Sequence, residues 1–399
     1  MRESKIPLIT VPTYWFSGRR RDYRIGDVFY DHPTPIDRDG TLARLLKSLE
    51  NLKGDFMVVV ITSVVESELE DRVERKIESI ISPFKSRYPI LQFGSKDLKT
   101  LKSRLRELGF SAYTKYIDTK GYGNVRNIQL IVAQILKVDV VVGLDDDEVI
   151  TDDSFLKKAL EYVGKKYEGK FVGGVGGFYV DPENGEETIM YENHGRKMRE
   201  ENIFFLKREI MDRAMEMLKM KKGRLVETPL MLGGNMIFHR DLFRKVPFDP
   251  YIPRGEDIDY LINARLLGYT LFIDKELFVL HLPPYALSQL SPDIARFLYE
   301  RHKLVMAEKY GMGSCTPESL DPYPGLFLRE DVEKHALDMV QRGLLRSDFV
   351  NEAKKYAQEK LPHFFEFMEK WPKLMDILGE DEVLRESFRN RLFMGGERR

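Results

Sequence analysis

Two kinds of apolar spacing alternate along the chain. Lys5–Tyr14 (KIPLITVPTY), Phe56–Val65 and Val138–Leu144 (VDVVVGL) are nearly continuous apolar runs rich in β-branched residues. Such runs are predicted as strands buried on both faces. Between them, Thr41–Leu52, Glu66–Ile81 and Gly121–Val138 carry apolar positions at helical spacing, with a weaker unit over Leu91–Phe110. Thr151–Ser154 offers N-cap chemistry for a helix FLKKALEYVGKKY. FVGGVGGFYV is predicted as a strand whose glycines let a backbone or ligand come close. Gly233-Gly234-Asn235 opens another strand, Gly255–Asp259 starts a helix, and a last strand leads to His281. From Ser288 the pattern is mainly helical, despite Pro317, Pro322, Pro324, Pro362 and Pro372. Strands alternating with helices predict an α/β fold: a mostly parallel sheet flanked by helices, with a helical C-terminal extension. The expected division is 1–285 and 286–399, with an inserted loop at 14–39.

A length of 399 residues suits two domains, or one large domain with additions. Lys+Arg number 63 against 64 Asp+Glu, so no overall field draws the chain to nucleic acid. The single cysteine, Cys315, excludes an internal disulfide framework and suits a reducing compartment. MRESKIPLITVP is too short and too soon interrupted for a secretion signal, and FMVVVITSVV falls far short of the roughly 20 apolar residues that span a bilayer. The expectation is a soluble, cytoplasmic protein.

The apolar run VVVGL ends abruptly in Asp145-Asp146-Asp147-Glu148. Ligands of open α/β sheets bind beyond the carboxyl ends of strands, where this cluster falls. An extended backbone puts Asp145 and Asp147 on one side. Two such carboxylates can hold a divalent cation, and hard oxygen ligands select magnesium or manganese. The cation would relieve the repulsion, and a diphosphate would complete its shell. The bland alternative is a solvated loop that caps the next helix, although Thr151–Ser154 already offer that. Glu256 and Asp259, at a helix start, could simply answer the helix dipole.

Taken in order from Lys5 to Pro284, these motifs make the chain resemble a family 2-type nucleotide-sugar glycosyltransferase with the GT-A (Rossmann-like) fold. The resemblance rests on LITVPTY, Val125-Arg126-Asn127, Leu144–Glu148 with its D-x-D, the GGN strand, Phe248-Asp249, GEDID and VLH. It implies transfer of a sugar from a UDP- or GDP-sugar to a hydroxyl. The acceptor could be a small polyol, a sugar phosphate or a lipid-linked sugar. Asp145 and Asp147 match the D-x-D, with His281 completing a shell for Mg2+ or Mn2+. Asp257 matches the general base of inverting members. Pro12, Thr13 and Arg126 match positions that touch the nucleotide, and the same pattern draws Asp146, Gly234, Asn235 and Glu256 into the donor site.

The chain departs from the family in two places. The base-reading Asp after the second strand is missing from Ile61–Glu66, where Thr62 or Ser63 could hydrogen-bond a base, or Glu66 could replace the carboxylate. The segment Trp15–Asp39 is an insertion. Its Arg19, Arg20 and Arg21 could close over a diphosphate, or it could be a mobile surface loop. Two other functions compete. A sugar-nucleotidyltransferase needs a glycine-rich basic loop after the first strand, and VPTYWFSGRRRDYR has one glycine. A non-catalytic nucleotide-sugar binder would share the site without turnover. The aromatic tail PHFFEFMEKWPKLMDIL is expected to bury against this chain or against a second copy as a homo-oligomer.

Overall fold

The computed structural model describes residues 6–19, 22–180, 202–283, 290–313 and 315–393. Its strands are β1 Leu8–Phe16, β2 Thr34–Pro35, β3 Met57–Val64, β4 Ile90–Phe93, β5 Val140–Gly143, β6 Glu148–Val149, β7 Lys166–Tyr167, β8 Lys170–Phe171, β9 Gly174–Val180, β10 Leu225–Glu227, β11 Met236–His239 and β12 Phe272–His281. The helices of the first part are α1 Leu42–Leu49, α2 Glu70–Ile81, α3 Ser95–Glu107, α4 Tyr122–Ile135, α5 Phe155–Ala159, α6 Lys207–Met220, α7 Arg240–Phe243 and α8 Glu256–Leu266. The tail holds α9 Leu290–Lys309, α10 Val332–Gln341, α11 Phe349–Glu380 and α12 Glu382–Phe393.

The central sheet runs β10-β12-β9-β11-β5-β1-β3-β4. Its β5-β1-β3-β4 half is wholly parallel. β11 is antiparallel to β5 and β9, while β12 returns parallel to β9. The expected α/β architecture, a mostly parallel sheet with a helical C-terminal part, is therefore present. Alternation explains the continuous apolar runs. Ile9, Val11, Val58 and Val60 join the core under α1, while Leu8, Val59 and Ile61 join the core under α4. Both faces of β1 and β3 are covered, so neither face selects polar residues.

Two local expectations change. The helix predicted over FLKKALEYVGKKY stops at Ala159. Gly164 and Gly169 have positive φ, and the chain folds back as the β7–β8 hairpin. The inserted segment is not all loop: β1 continues to Phe16, and β2 pairs in parallel with Trp15 and Phe16. In the tail, Pro362 and Pro372 lie inside α11 rather than ending it. An interior proline costs a helix about 3 kcal/mol, and here the buried flanking residues Leu361, Phe364, Trp371 and Leu374 offset it.

The tail shares its core with the sheet. Phe364, Phe367, Trp371 and Leu374 are fully buried beside Val125, Ile128 and Ile131 of α4. Trp371 Nε1 donates to Phe243 O at 2.8 Å, and Arg385 Nε donates to Ile135 O at 2.8 Å. Of the two coverings expected for the aromatic tail, burial against this chain is the one seen. The 285/286 division falls within 284–289, outside the described residues. Trp371→Ala is expected to destabilise the chain by about 3–5 kcal/mol in urea unfolding. Replacing the half-exposed Leu344 should cost under about 0.5 kcal/mol. Equal effects of the two would contradict a tail built into the core.

Candidate active site

The parallel register brings the carboxyl ends of β1 and β5 to one edge. Thr10 pairs with Gly143, and Leu144 N then donates to Thr10 O at 3.1 Å. Beyond that the chain turns, with Glu148 N donating to Asp145 O at 3.2 Å. It re-enters the sheet as β6, which pairs with the end of β12 so that Glu148 faces His281. This antiparallel closure sets the last residue of β12 against the acidic turn. Leu282 N and Arg44 Nη2 both donate to Asp147 O, at 2.9 and 3.2 Å.

The four acidic residues point to different partners. Asp145 accepts from Arg126 Nη2 at 2.8 Å, and Arg126 Nε donates to Glu256 at 3.1 Å. One buried guanidinium thus joins α4, the β5 turn and α8. Burial raises the Asp145 pKa, opposed by Arg126, and pushes Glu256 up to about 7. Asp146 turns inward, accepting from Thr13 Oγ1 at 2.5 Å and Thr41 Oγ1 at 3.3 Å. Burial, then the charge of Asp147, pushes it up to about 8. Burial also pushes Asp147 up, but the hydrogen bond and charge of His281 and the charge of His32 outweigh this, leaving it below the usual carboxylate range. His281 Nε2 lies 3.5 Å from Asp147 Oδ2. His32, Asp147 and His281 each offer a ligand atom, and the three atoms lie within 4.8 Å of one another.

Tyr179 ties His281 to the glycine loop. Its ring stacks on His281 with centroids 4.5 Å apart, and its hydroxyl accepts from Gly234 N at 2.8 Å. The paired glycines are required by close approach. A Cβ on Gly234 would fall 1.7 Å from Glu148 Oε1, and one on Gly233 would fall 2.8 Å from Arg126 Nη2. That same Gly233 position is 3.5 Å from Asp257 Oδ2, so Asp257 and Arg126 flank the glycine loop. Asp257 is half-buried in the first turn of α8 and accepts from Ile258 N at 2.8 Å.

Asp145, Asp147, His281, Arg126, Gly234, Glu256 and Asp257 therefore converge on one sheet edge, with Asp146 directly beneath. Other expected residues are engaged in the framework. Thr13 Oγ1 is buried, donates to Asp146 and accepts from Trp15 Nε1 at 2.9 Å. Pro12 is buried in β1 opposite Ile61. Thr62 accepts from Gln92 Nε2 at 2.8 Å, and Ser63 donates to Thr119 O at 2.6 Å. Asn235 is fully buried, and its Nδ2 lies so near Gly177 that a Cβ there would be 2.2 Å away. Glu66 accepts from the backbone and hydroxyl of Ser17 at 3.0 and 2.7 Å.

Sequence patterning missed His32. It stands in the inserted segment, in DHPTP, and no spacing relates it to β5. The fold anchors the two residues before it. Tyr30 OH accepts from Gly121 N at 2.8 Å and pairs with Ser63 Oγ at 2.7 Å. Asp31 N donates to Tyr122 OH at 2.7 Å, and Asp31 Oδ2 pairs with Arg254 at 3.0 Å. Of the arginines assigned to a lid, Arg19 is exposed, while Arg20 and Arg21 lie outside the described residues.

The donor chemistry at this edge fits a divalent cation. A carboxylate and two imidazoles stand within 4.8 Å. Nearby, Arg126 Nη1 and Glu148 Oε1 are buried without a hydrogen-bond partner. Buried polar atoms normally find partners, so these two leave unmet polar demand beside the acidic turn.

No family model and no curated protein matches the chain. Among solved structures it is similar to S. aureus TarS 1–349, with 15% identity, a TM-score of 0.42, and 96% of this chain and 91% of that one covered. It is also similar to the mannosyltransferase PcManGT from Pyrobaculum calidifontis in complex with GDP-Man and Mn2+, with 13% identity, a TM-score of 0.39, and coverage of 98% and 88%. A mycobacterial protein aligns with 16% identity, a TM-score of 0.40, and coverage of 78% and 76%.

Proposed function

We propose that the chain is a metal-dependent glycosyltransferase that moves a sugar from a nucleoside-diphosphate donor to a hydroxyl acceptor with inversion. The observation that carries this is the convergence of the D-x-D turn, His281, Arg126 and the Glu256-Asp257 helix start on one sheet edge. These residues lie as far as 155 positions apart, from Arg126 to His281, and a capping loop would need none of that assembly.

Asp147 and His281 would hold the cation, which supplies charge stabilisation for the departing diphosphate. Arg126, buried between Asp145 and Glu256, would lend positive charge to the side where the diphosphate departs. Asp257 takes the proton of the acceptor hydroxyl as that oxygen attacks the anomeric carbon. The bond from the anomeric carbon to the diphosphate oxygen breaks, and the nucleoside diphosphate leaves. The Gly233-Gly234 loop keeps side chains out of the space between Arg126 and Asp257. Thr13 and Thr41 hold Asp146 inward, which orients the turn rather than contacting a donor.

A thermal-shift screen of UDP- and GDP-sugars with Mn2+ or Mg2+, followed by assay of nucleotide release with polyol and sugar-phosphate acceptors, tests this. Donor-selective stabilisation with turnover is expected. Stabilisation without hydrolysis or transfer would identify a binding protein instead. No response to any nucleotide sugar would remove the proposal. Among the described residues, no helix is long and apolar enough to cross a membrane.

A further inference from the structure

His32, in the segment between β1 and β2, brings a third potential ligand atom to the site. The geometry points to a two-histidine, one-carboxylate centre built from His32, Asp147 and His281, able to take a divalent transition cation before any nucleotide arrives. This deepens the glycosyltransferase proposal, because it names the metal class and the order of binding at the same edge. A seat built from the D-x-D carboxylates alone would offer oxygen ligands suited to magnesium and would need the donor's phosphates to complete it. Here Asp145 is drawn toward Arg126 at 2.8 Å. The ligand atoms that do cluster are one carboxylate oxygen and two imidazole nitrogens. Imidazole favours borderline transition cations over magnesium, which binds nitrogen weakly.

Asp147 and His281 are held by contacts independent of a metal, and His32 follows a segment that is itself anchored. The Asp147 backbone is held by Leu282 N and Arg44. His281 ends β12 and stacks on Tyr179. His32 follows Tyr30 and Asp31, which are hydrogen-bonded to Ser63, Gly121 and Tyr122. Arg254 completes this support. It pairs with Asp31 at 3.0 Å and with Asp293 of α9 at 3.0 Å, and it stands three residues before Asp257. Arg254 is thus a positioning residue that links the ligand-bearing segment to the tail and to the α8 start. Preorganised ligands bind a cation without first ordering a loop, so the centre does not need the donor to assemble.

The test is Mn2+ binding by the full chain, without nucleotide, followed by the EPR signal of the free ion. Wild type is expected to bind one Mn2+, with about a tenfold excess of Mg2+ leaving most of it bound. His32→Ala, His32→Asn and His281→Ala should each weaken binding at least about tenfold, since even indirect ligand supports are worth 10–100-fold. Arg254→Gln should weaken it by less, and Arg254→Lys should recover part of the loss. His363→Ala, on the exposed side of α11, should bind as wild type. Thermal unfolding of each variant separates loss of the ligand from loss of the fold. Either His32 variant, folded and binding like wild type, would overturn the proposal. So would a nucleotide-free protein that takes up no Mn2+, or one in which Mg2+ competes equally. The two proposals can fail separately. A chain that transfers sugar but binds no Mn2+ alone removes only this inference. A chain that binds Mn2+ through His32 yet turns over no nucleotide sugar removes only the transferase.

Discussion

Asp147→Ala is expected to cut sugar transfer by more than about 10²–10³-fold, the scale on which removing one preorganised charge-stabilising group slows an enzyme. The carboxylate is the centre of the ligand cluster, with His281 Nε2 at 3.5 Å and His32 within the same 4.8 Å group. Excess chelator added to wild type should reproduce the loss, and Mn2+ should restore wild type but not the variant. Stability should change little. Asp147 is one of several acidic residues crowded into one turn, and its charge helps to raise Asp146 and Glu148. Removing it ends that repulsion and also the pairing with His281, two opposed effects, while the backbone contacts from Leu282 and Arg44 remain. Steady-state assay beside thermal unfolding checks both halves. Full activity in the variant or in excess chelator would remove the metal from the mechanism.

Asp257→Asn should lower kcat by about 10²–10⁴-fold, the usual contribution of a general base. Asparagine keeps the shape and keeps an oxygen to accept from Ile258 N, which Asp257 now does at 2.8 Å. It cannot take a proton. Donor affinity should persist, because the ligand cluster and Arg126 are untouched. The neighbouring Glu256 is paired with Arg126 at 3.1 Å, so the variant does not leave an acidic side chain free to substitute at the same position. If Asp257 only answered the α8 dipole, the change would cost about 0.3–1 kcal/mol of stability and little rate. Turnover near wild type, or a product that keeps the donor's anomeric configuration by NMR, would overturn the assignment of Asp257 as base.

The motifs of the site were legible because each is local. Asp145–Glu148 follows a recognisable buried strand, and Gly233-Gly234 and Glu256-Asp257 open recognisable elements. Their roles were less legible. Thr13, Thr62 and Ser63 have hydroxyls suited to a nucleotide, but the fold engages those hydroxyls with Asp146, Gln92 and Thr119. A hydroxyl's partner depends on what the neighbouring strand or loop brings, which one segment does not state. The helix predicted after Ser154 failed for a related reason: its apolar residues were shared between a five-residue helix and a hairpin turned by Gly164 and Gly169.

Periodicity and turn chemistry by themselves determined the alternation of buried strands and amphipathic helices, the acidic turn at the end of β5, the glycine loop and the helical character of the tail. These are short-range consequences of which side chains can lie on a pleat or on a helix face. Only the tertiary structure decided that Asp145 pairs with Arg126 while Asp147 faces His281, that the tail closes the core over α4 despite two interior prolines, and that His32 reaches the acidic turn. Those outcomes depend on contacts between residues far apart in sequence, such as His32 and His281 at 249 positions and Ile135 and Arg385 at 250. The packing of the whole chain selects such contacts, because burial and paired charge reward the assembled edge and no local pattern encodes it.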